Sequence, residues 1–204
     1  MLWDQFRKIL STRLQNKIED KRFTPAAVLL LLYEKKGETY LLLTKRTEKV
    51  ADHKGQISFP GGVRDKEDKS LEITALREAS EEVGIDIENV EILGILDDYL
   101  TVETNYVITP VVGILPTPPR FRINSEEVDR IIEIPLAFFQ DFFKHKPTSN
   151  FPDGEAVVGY PEFQYGQHLI WGATARILEQ FLSLLALLKE NGDALGVIFE
   201  KGRN

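Results

Sequence analysis

The sequence predicts an α/β (α+β) fold in which helices flank a mixed β-sheet. Three observations carry that expectation. Apolar runs of strand length recur along the chain, and helical apolar stripes lie near both ends and in the middle. The two patterns mix without a regular βαβ alternation. The 204 residues are enough for one domain with a full core. A single domain over 1–204 is expected, with 1–22 as an N-terminal helical extension and a core over about 23–190.

Each element has its own warrant. Leu2, Phe6, Ile9, Leu10 and Leu14 recur at helical spacing, so 2–18 reads as an amphipathic helix that packs on the domain or mediates a homodimer. Asp20 to Phe23 break the pattern. Residues 25–33 are apolar and read as a buried strand, 35–38 as a turn and 39–44 as the partner strand of a hairpin. Residues 45–62 read as a loop ending in Phe59-Pro60-Gly61-Gly62, followed by a charged stretch at 65–69. Ser70 is an N-cap for a helix over 71–83, with Ile73, Leu76, Ala79 and Val83 as its apolar side. Gly84 sits where a left-handed C′ residue belongs. Strands are expected at 90–96, 106–115 and 130–134, and a short helix at 136–143. Residues 147–167, rich in Pro, Gly and aromatics, can hold a short hairpin, and 173–189 is a helix stopped at Asn191-Gly192.

Composition excludes several function classes. A formal charge of −7 disfavours a general grip on nucleic acid. The absence of cysteine excludes disulfides, thiol catalysis and zinc–thiolate sites, and fits a reducing cytoplasm. Residues 1–17 carry charges throughout and do not read as a signal peptide. No run reaches the ~20 apolar residues of a membrane span.

The end of the central helix is the informative anomaly. In Arg77-Glu78-Ala79-Ser80-Glu81-Glu82-Val83-Gly84, three glutamates share one face, opposite the apolar side. Like charges at these spacings repel, and acidic groups near a helix C-terminus oppose its dipole. A solvated acidic end is the plain reading. The sharper one is that they hold a cation, and all-oxygen ligands suit Mg²⁺ or Mn²⁺, ions that accompany phosphate chemistry.

The motifs around that helix carry a resemblance. Gly61-Gly62, a charged loop, then Arg77-Glu78-x-x-Glu81-Glu82-x-Gly84 resembles the Nudix box, with the loop one residue longer than the family pattern. With that insertion, Gly62 and Asp68 take the positions of the family's glycine and first acidic residue. Upstream, Leu42-Leu43-Thr44-Lys45-Arg46-Thr47 and Gly55-Gln56-Ile57-Ser58-Phe59-Pro60-Gly61-Gly62 resemble the signature of coenzyme A pyrophosphatases. Residues 106–113 and 170–176 are similar to the same branch. The chain departs from it at Ala51, where the branch has an arginine suited to phosphate.

The resemblance implies a Nudix-type α/β/α sandwich that hydrolyses the diphosphate of a small nucleotide derivative, coenzyme A or acyl-coenzyme A, with Mg²⁺ or Mn²⁺. Glu78 and Glu82 are then metal ligands, with Glu81 and the Gly62 carbonyl beside them. Substrate contacts fall to Arg46, Gly55, Gln56, Gly61 and Gly62. Arg77 has a catalytic and a structural reading, and the structural one, a clamp on Asp68, is the stronger. For the general base, Glu81, Glu126, Glu127 and Glu133 are open, with Glu127 placed just before a strand as a remote carboxylate of this family often is. His53 and Lys54 can also reach phosphate. Tyr99, Tyr106, Phe121, Tyr160, Phe163, Tyr165 and Trp171 can stack a base, although aromatics are more often core.

Overall fold

The structure, a computed structural model, describes residues 2–48, 55–101, 104–139 and 161–190. In chain order these form helix α1 (Leu2–Thr12), strands β1 (Thr24–Lys35), β2 (Glu38–Arg46), β3 (Ile57–Ser58) and β4 (Gly61–Val63), and helix α2 (Leu71–Val83). Strands β5 (Glu91–Ile95), β6 (Tyr99–Thr101), β7 (Tyr106–Leu115), β8 (Val128–Pro135), β9 (Phe163–Tyr165) and β10 (His168–Ile170) follow, then helix α3 (Gly172–Glu190).

The main sheet is mixed, as expected. β1 pairs antiparallel with β2 and parallel with β7. The β1–β2 hairpin turns at Lys36-Gly37, both at positive φ. Beyond the hairpin β1 and β2 diverge. β4 pairs with the start of β1, β3 pairs with the end of β2, and β8 runs along the other edge of β2. The wedge between β1 and β2 is thus filled by the segment that carries Phe59-Pro60-Gly61-Gly62.

β1 reads as one apolar run because both of its faces are buried. Ala27, Leu29, Leu31 and Tyr33 meet Ala75, Ala79 and Val83 of α2. Leu30 and Leu32 belong to the other core, with Phe181, Leu182 and Leu185 of α3 and Phe6 and Leu10 of α1. The result is the α/β/α sandwich.

Several expectations need correction. The first helix ends at Thr12, and Leu14, counted in its apolar stripe, is 97% exposed. Beyond it, Asn16 N and Ile18 N donate to the Asp97 and Asp98 carboxylates instead of to helical carbonyls, and the Arg13 and Gln15 side chains reach Ile95 O and Leu96 O. The helix packs on the domain through Phe6 and Leu10. On α2 the buried positions are Thr74, Ala75, Ala79, Glu82 and Val83, while Ile73 is exposed. The expected loop at 45–62 contains β3 and β4, and β6 is an additional strand too short to show periodicity. The expected helix at 136–143 is a 3₁₀ turn over Leu136–Phe139, and its remainder lies outside the described residues. So do most of 147–167, whose end supplies the β9–β10 hairpin, and the stop at Asn191-Gly192. No helix among the described residues is long and apolar enough to cross a membrane.

Candidate active site

Helix α2 is fixed at both ends. The Ser70 hydroxyl accepts from the Ile73 N–H at 3.4 Å, and Gly84, at φ 68°, donates its N–H to Ser80 O. The last carbonyls are satisfied from a distance: Val83 O accepts from Arg122 N (2.8 Å) and Glu82 O from Asn124 N (2.9 Å). That segment also places Glu127. Asn124 Nδ2 donates to Glu127 Oε1 at 3.1 Å, and Thr47 N donates to Glu127 O at 2.9 Å. Glu127 is thereby pinned between the ends of α2 and β2, where its charge acts on Glu78 and Glu82.

Of the two glycines, Gly61 packs on strand β1 and Gly62 faces the helix. A Cβ on Gly61 would lie 2.3 Å from Ala27 O, so nothing larger fits there. A Cβ on Gly62 would lie 2.5 Å from Glu78 Cδ. The Glu78 carboxylate therefore rests on the open surface of Gly62, and Glu82 accepts a hydrogen bond from the Gly61 N–H.

The three helix glutamates do not share one environment, as their spacing had implied. Glu81 is exposed at the rim, Glu78 is partly buried, and Glu82 is only 2% exposed. Burial pushes the Glu82 carboxyl up to about 8; nearby Arg46 opposes the shift, and Glu127 and Glu78 add to it. Burial likewise raises Glu78, against the pull of Arg77.

Arg77 holds the loop to the helix. Its Nε and Nη2 reach the Asp68 carboxylate at 3.1 and 3.0 Å, and Nη2 also donates to Val63 O. Nη1 lies 2.8 Å from Glu78 Oε1 and 3.0 Å from Glu81 Oε2. Asp68, buried, also accepts from Thr74 Oγ1 and from Asp65 N at 2.9 Å each. The Arg77 guanidinium, followed by these donors, holds Asp68 down at about 2. The longer box loop closes on itself, with Arg64 Nη2 donating to Asp68 O at 2.9 Å.

Arg46 faces this cluster from the end of β2, with Nη1 3.8 Å from Glu82 Oε1. Its Nε is buried and has no hydrogen-bond partner among the described residues. Gln56 O accepts from Arg46 N at 2.9 Å, but Gly55 and the Gln56 side chain line a pocket on the α3 side of the sheet, away from α2. Glu133 is engaged by the Tyr33 hydroxyl and by Lys35 Nζ, and Glu126 stands exposed with its carbonyl on Thr47 Oγ1. Ala51, His53, Lys54 and Tyr160 lie outside the described residues. Of the aromatics, Phe121 packs edge-on against Tyr33, Phe163 is core, Tyr165 meets Phe138, and Trp171 is 50% exposed.

Among the described residues, no three carboxylates or imidazoles form a ready-made cation cage, and Arg77 pairs with Glu78 and Glu81. The donor chemistry nevertheless fits a hard divalent ion. Glu78 and Glu82 are i,i+4 oxygen donors, and the Glu78 carboxylate lies directly against the Gly62 backbone.

The NUDIX domain family model matches residues 23–150. The chain belongs to the Nudix family. Nudix hydrolase NudL of Photorhabdus laumondii, described as uncharacterized, is 43% identical over 157 residues, which is 76% of this chain and 81% of the relative. NudL of Shigella sonnei, described in the same words, is 36% identical over 180 residues, 88% of this chain and 92% of the relative. Among solved structures, RenU, a Nudix hydrolase of M. smegmatis, matches with a TM-score of 0.47 at 22% identity, over 55% of this chain and 70% of its own. The protein is thus a Nudix hydrolase, an enzyme acting on a nucleoside diphosphate derivative, in a family that generally uses divalent metal ions. Sequence reasoning missed the burial of Glu82 and its contact with Arg46. A signal for the first was available: Glu82 lies three residues from Ala79 and beside Val83, on the apolar flank of α2.

Proposed function

We propose that the protein is a Mg²⁺- or Mn²⁺-dependent pyrophosphohydrolase that cleaves coenzyme A or acyl-coenzyme A to 3′,5′-ADP and a phosphopantetheine fragment. The observation that carries the reaction type is the meeting of Glu78 and Glu82 with Gly61-Gly62 on one side and Glu127 on the other. When bound, the metal supplies Lewis-acid stabilisation of the diphosphate oxygens. Glu78, Glu82 and the Gly62 carbonyl would hold it, with Glu81 contributing from the rim. Glu127 is the remote carboxylate that accepts a proton from the attacking water. Arg46, whose side chain is partly exposed beside Glu82, meets phosphate charge from the β2 side. Arg77 and Asp68 position the loop and helix and touch no substrate.

The loop motif Leu42–Thr47 and Gly55–Gly62 supports coenzyme A as the substrate. Ala51 favours a second reading, the same chemistry on another nucleoside diphosphate derivative such as ADP-ribose, NADH or a nucleoside triphosphate. A product-release panel of these compounds with Mg²⁺ and Mn²⁺ separates the two. In the same assay Glu82→Gln is expected to lower kcat by about 100-fold or more, corresponding to loss of roughly 3 kcal/mol of transition-state stabilisation. Near-wild-type turnover by a folded Glu82→Gln enzyme would sink the metal assignment.

A further inference from the structure

A pocket of about 760 Å³ opens on the α3 side of the sheet, across strand β2 from the glutamate cluster. Its size is that of a ligand site. Its wall is unusual for a chain of charge −7: it contains two cations, Lys45 and Arg130, and no carboxylate. The two stand directly opposite each other in the β2–β8 ladder. Like charges so placed repel and weaken a sheet. Arg130 Nε is satisfied by Asp129 at 2.8 Å, and Lys45 has no ion-pair partner among the described residues. The other nearby carboxylate, Glu48, lies over Gly55 at the rim.

Two further features converge on the same space. Trp171 presents a half-exposed indole to it. The Gln56 and His168 side chains add polar groups to the wall. Cations set opposite each other ask for an anion, and a bare indole beside them asks for a flat ring.

We propose that this pocket binds a phosphorylated purine nucleoside, with the phosphate between Lys45 and Arg130 and the base on Trp171. Lys45 and Arg46 are neighbours on β2, so the ligand is either the far end of a substrate whose diphosphate lies at Glu78 and Glu82 or a separate nucleotide. The first alternative rests on the coenzyme A reading, because that substrate carries an additional 3′-phosphate. The second does not.

The test is isothermal titration of the full chain with adenosine 3′,5′-bisphosphate and with AMP, in EDTA so that no divalent ion contributes. Wild type is expected to bind the bisphosphate more tightly than AMP. Lys45→Ala and Arg130→Gln should each weaken the bisphosphate roughly tenfold, the scale of one charge-assisted contact. Trp171→Ala should weaken both ligands by a similar factor, and Trp171→Phe should restore part of it. Unchanged melting temperatures keep folding out of the comparison. Steady-state kinetics then assign the ligand. A KM rise for coenzyme A that exceeds the rise for dephospho-coenzyme A makes the pocket the substrate's distal site. Weakened titration without that difference makes it a separate nucleotide site. Equal bisphosphate affinity in wild type, Lys45→Ala and Arg130→Gln, or no binding at millimolar ligand, overturns the proposal.

Discussion

Asp68 shows how one buried carboxylate organises the residues around it. It lies 4% exposed and collects Arg77, Thr74 Oγ1 and Asp65 N, while its own carbonyl takes Arg64. Removing one partner of such a set strands the rest, so Asp68→Asn is expected to cost about 1.5–3 kcal/mol at neutral pH. The pH dependence has a definite sign. The folded carboxyl sits at about 2, below its ordinary 3.8, so its stabilisation is fully present above about pH 4 and is lost as the pH falls toward 2. Urea melts of wild type and Asp68→Asn should therefore differ most near neutral pH and converge below pH 3. A constant difference across that range would mean that Asp68 acts through packing and not through its charge. Arg77 would then be free to serve some other purpose than the clamp.

Helix α1 lies before the segment that the family model matches, yet it is part of the core. Phe6 is fully buried and meets Phe181 of α3 edge-on, with centroids 5.5 Å apart, while Leu10 packs on Gly94 of β5. Phe6→Ala is expected to destabilise the whole chain by about 3–5 kcal/mol. A shift under ~1 kcal/mol in a chemical melt would show that the helix only rests on the surface. The helix was legible in the sequence because its apolar spacing is strong, and α2 was legible to the residue because Ser70 and Gly84 punctuate it. The coil at 13–18 was not, since these hydrogen bonds go to residues 80 or more positions away. β3, β4 and β6 were illegible for another reason: two or three residues carry no measurable period. At the site, residue spacing alone gave the glutamates and a hard ion. The choice of Gly62, Asp68 and Glu127 needed the family resemblance, because only the fold carries Glu127 back to α2. Spacing also misjudged Glu82, whose charge suggested solvent where the packing of α2 on β1 leaves almost none.

Taken as a whole, the molecule concentrates unfavourable charge where the two cores meet the divergence of β1 and β2. Glu78 and Glu82 are raised by burial and by each other's neighbours, and Arg46 and Arg77 offset only part of this. An ion that binds the folded chain and not the unfolded one must therefore raise global stability, whatever it does to turnover. At ten times its Kd, Mg²⁺ or Mn²⁺ is expected to add about 1.4 kcal/mol. For a chain of this size each kcal/mol corresponds to a rise in Tm of roughly 2–4 °C. Scanning calorimetry with 0–10 mM metal checks this without any substrate. The dependence should vanish in Glu82→Gln, which itself should melt no lower than wild type in EDTA at pH 7, because burial holds the Glu82 carboxyl up to about 8 and the amide replaces a group already largely neutral. A metal-dependent Tm that persists in Glu82→Gln would place the stabilising ion elsewhere in the molecule. An unchanged Tm in wild type up to 10 mM would mean that the carboxylates recruit their ion only together with the diphosphate, and the same scan with substrate analogue and metal together would then show the rise.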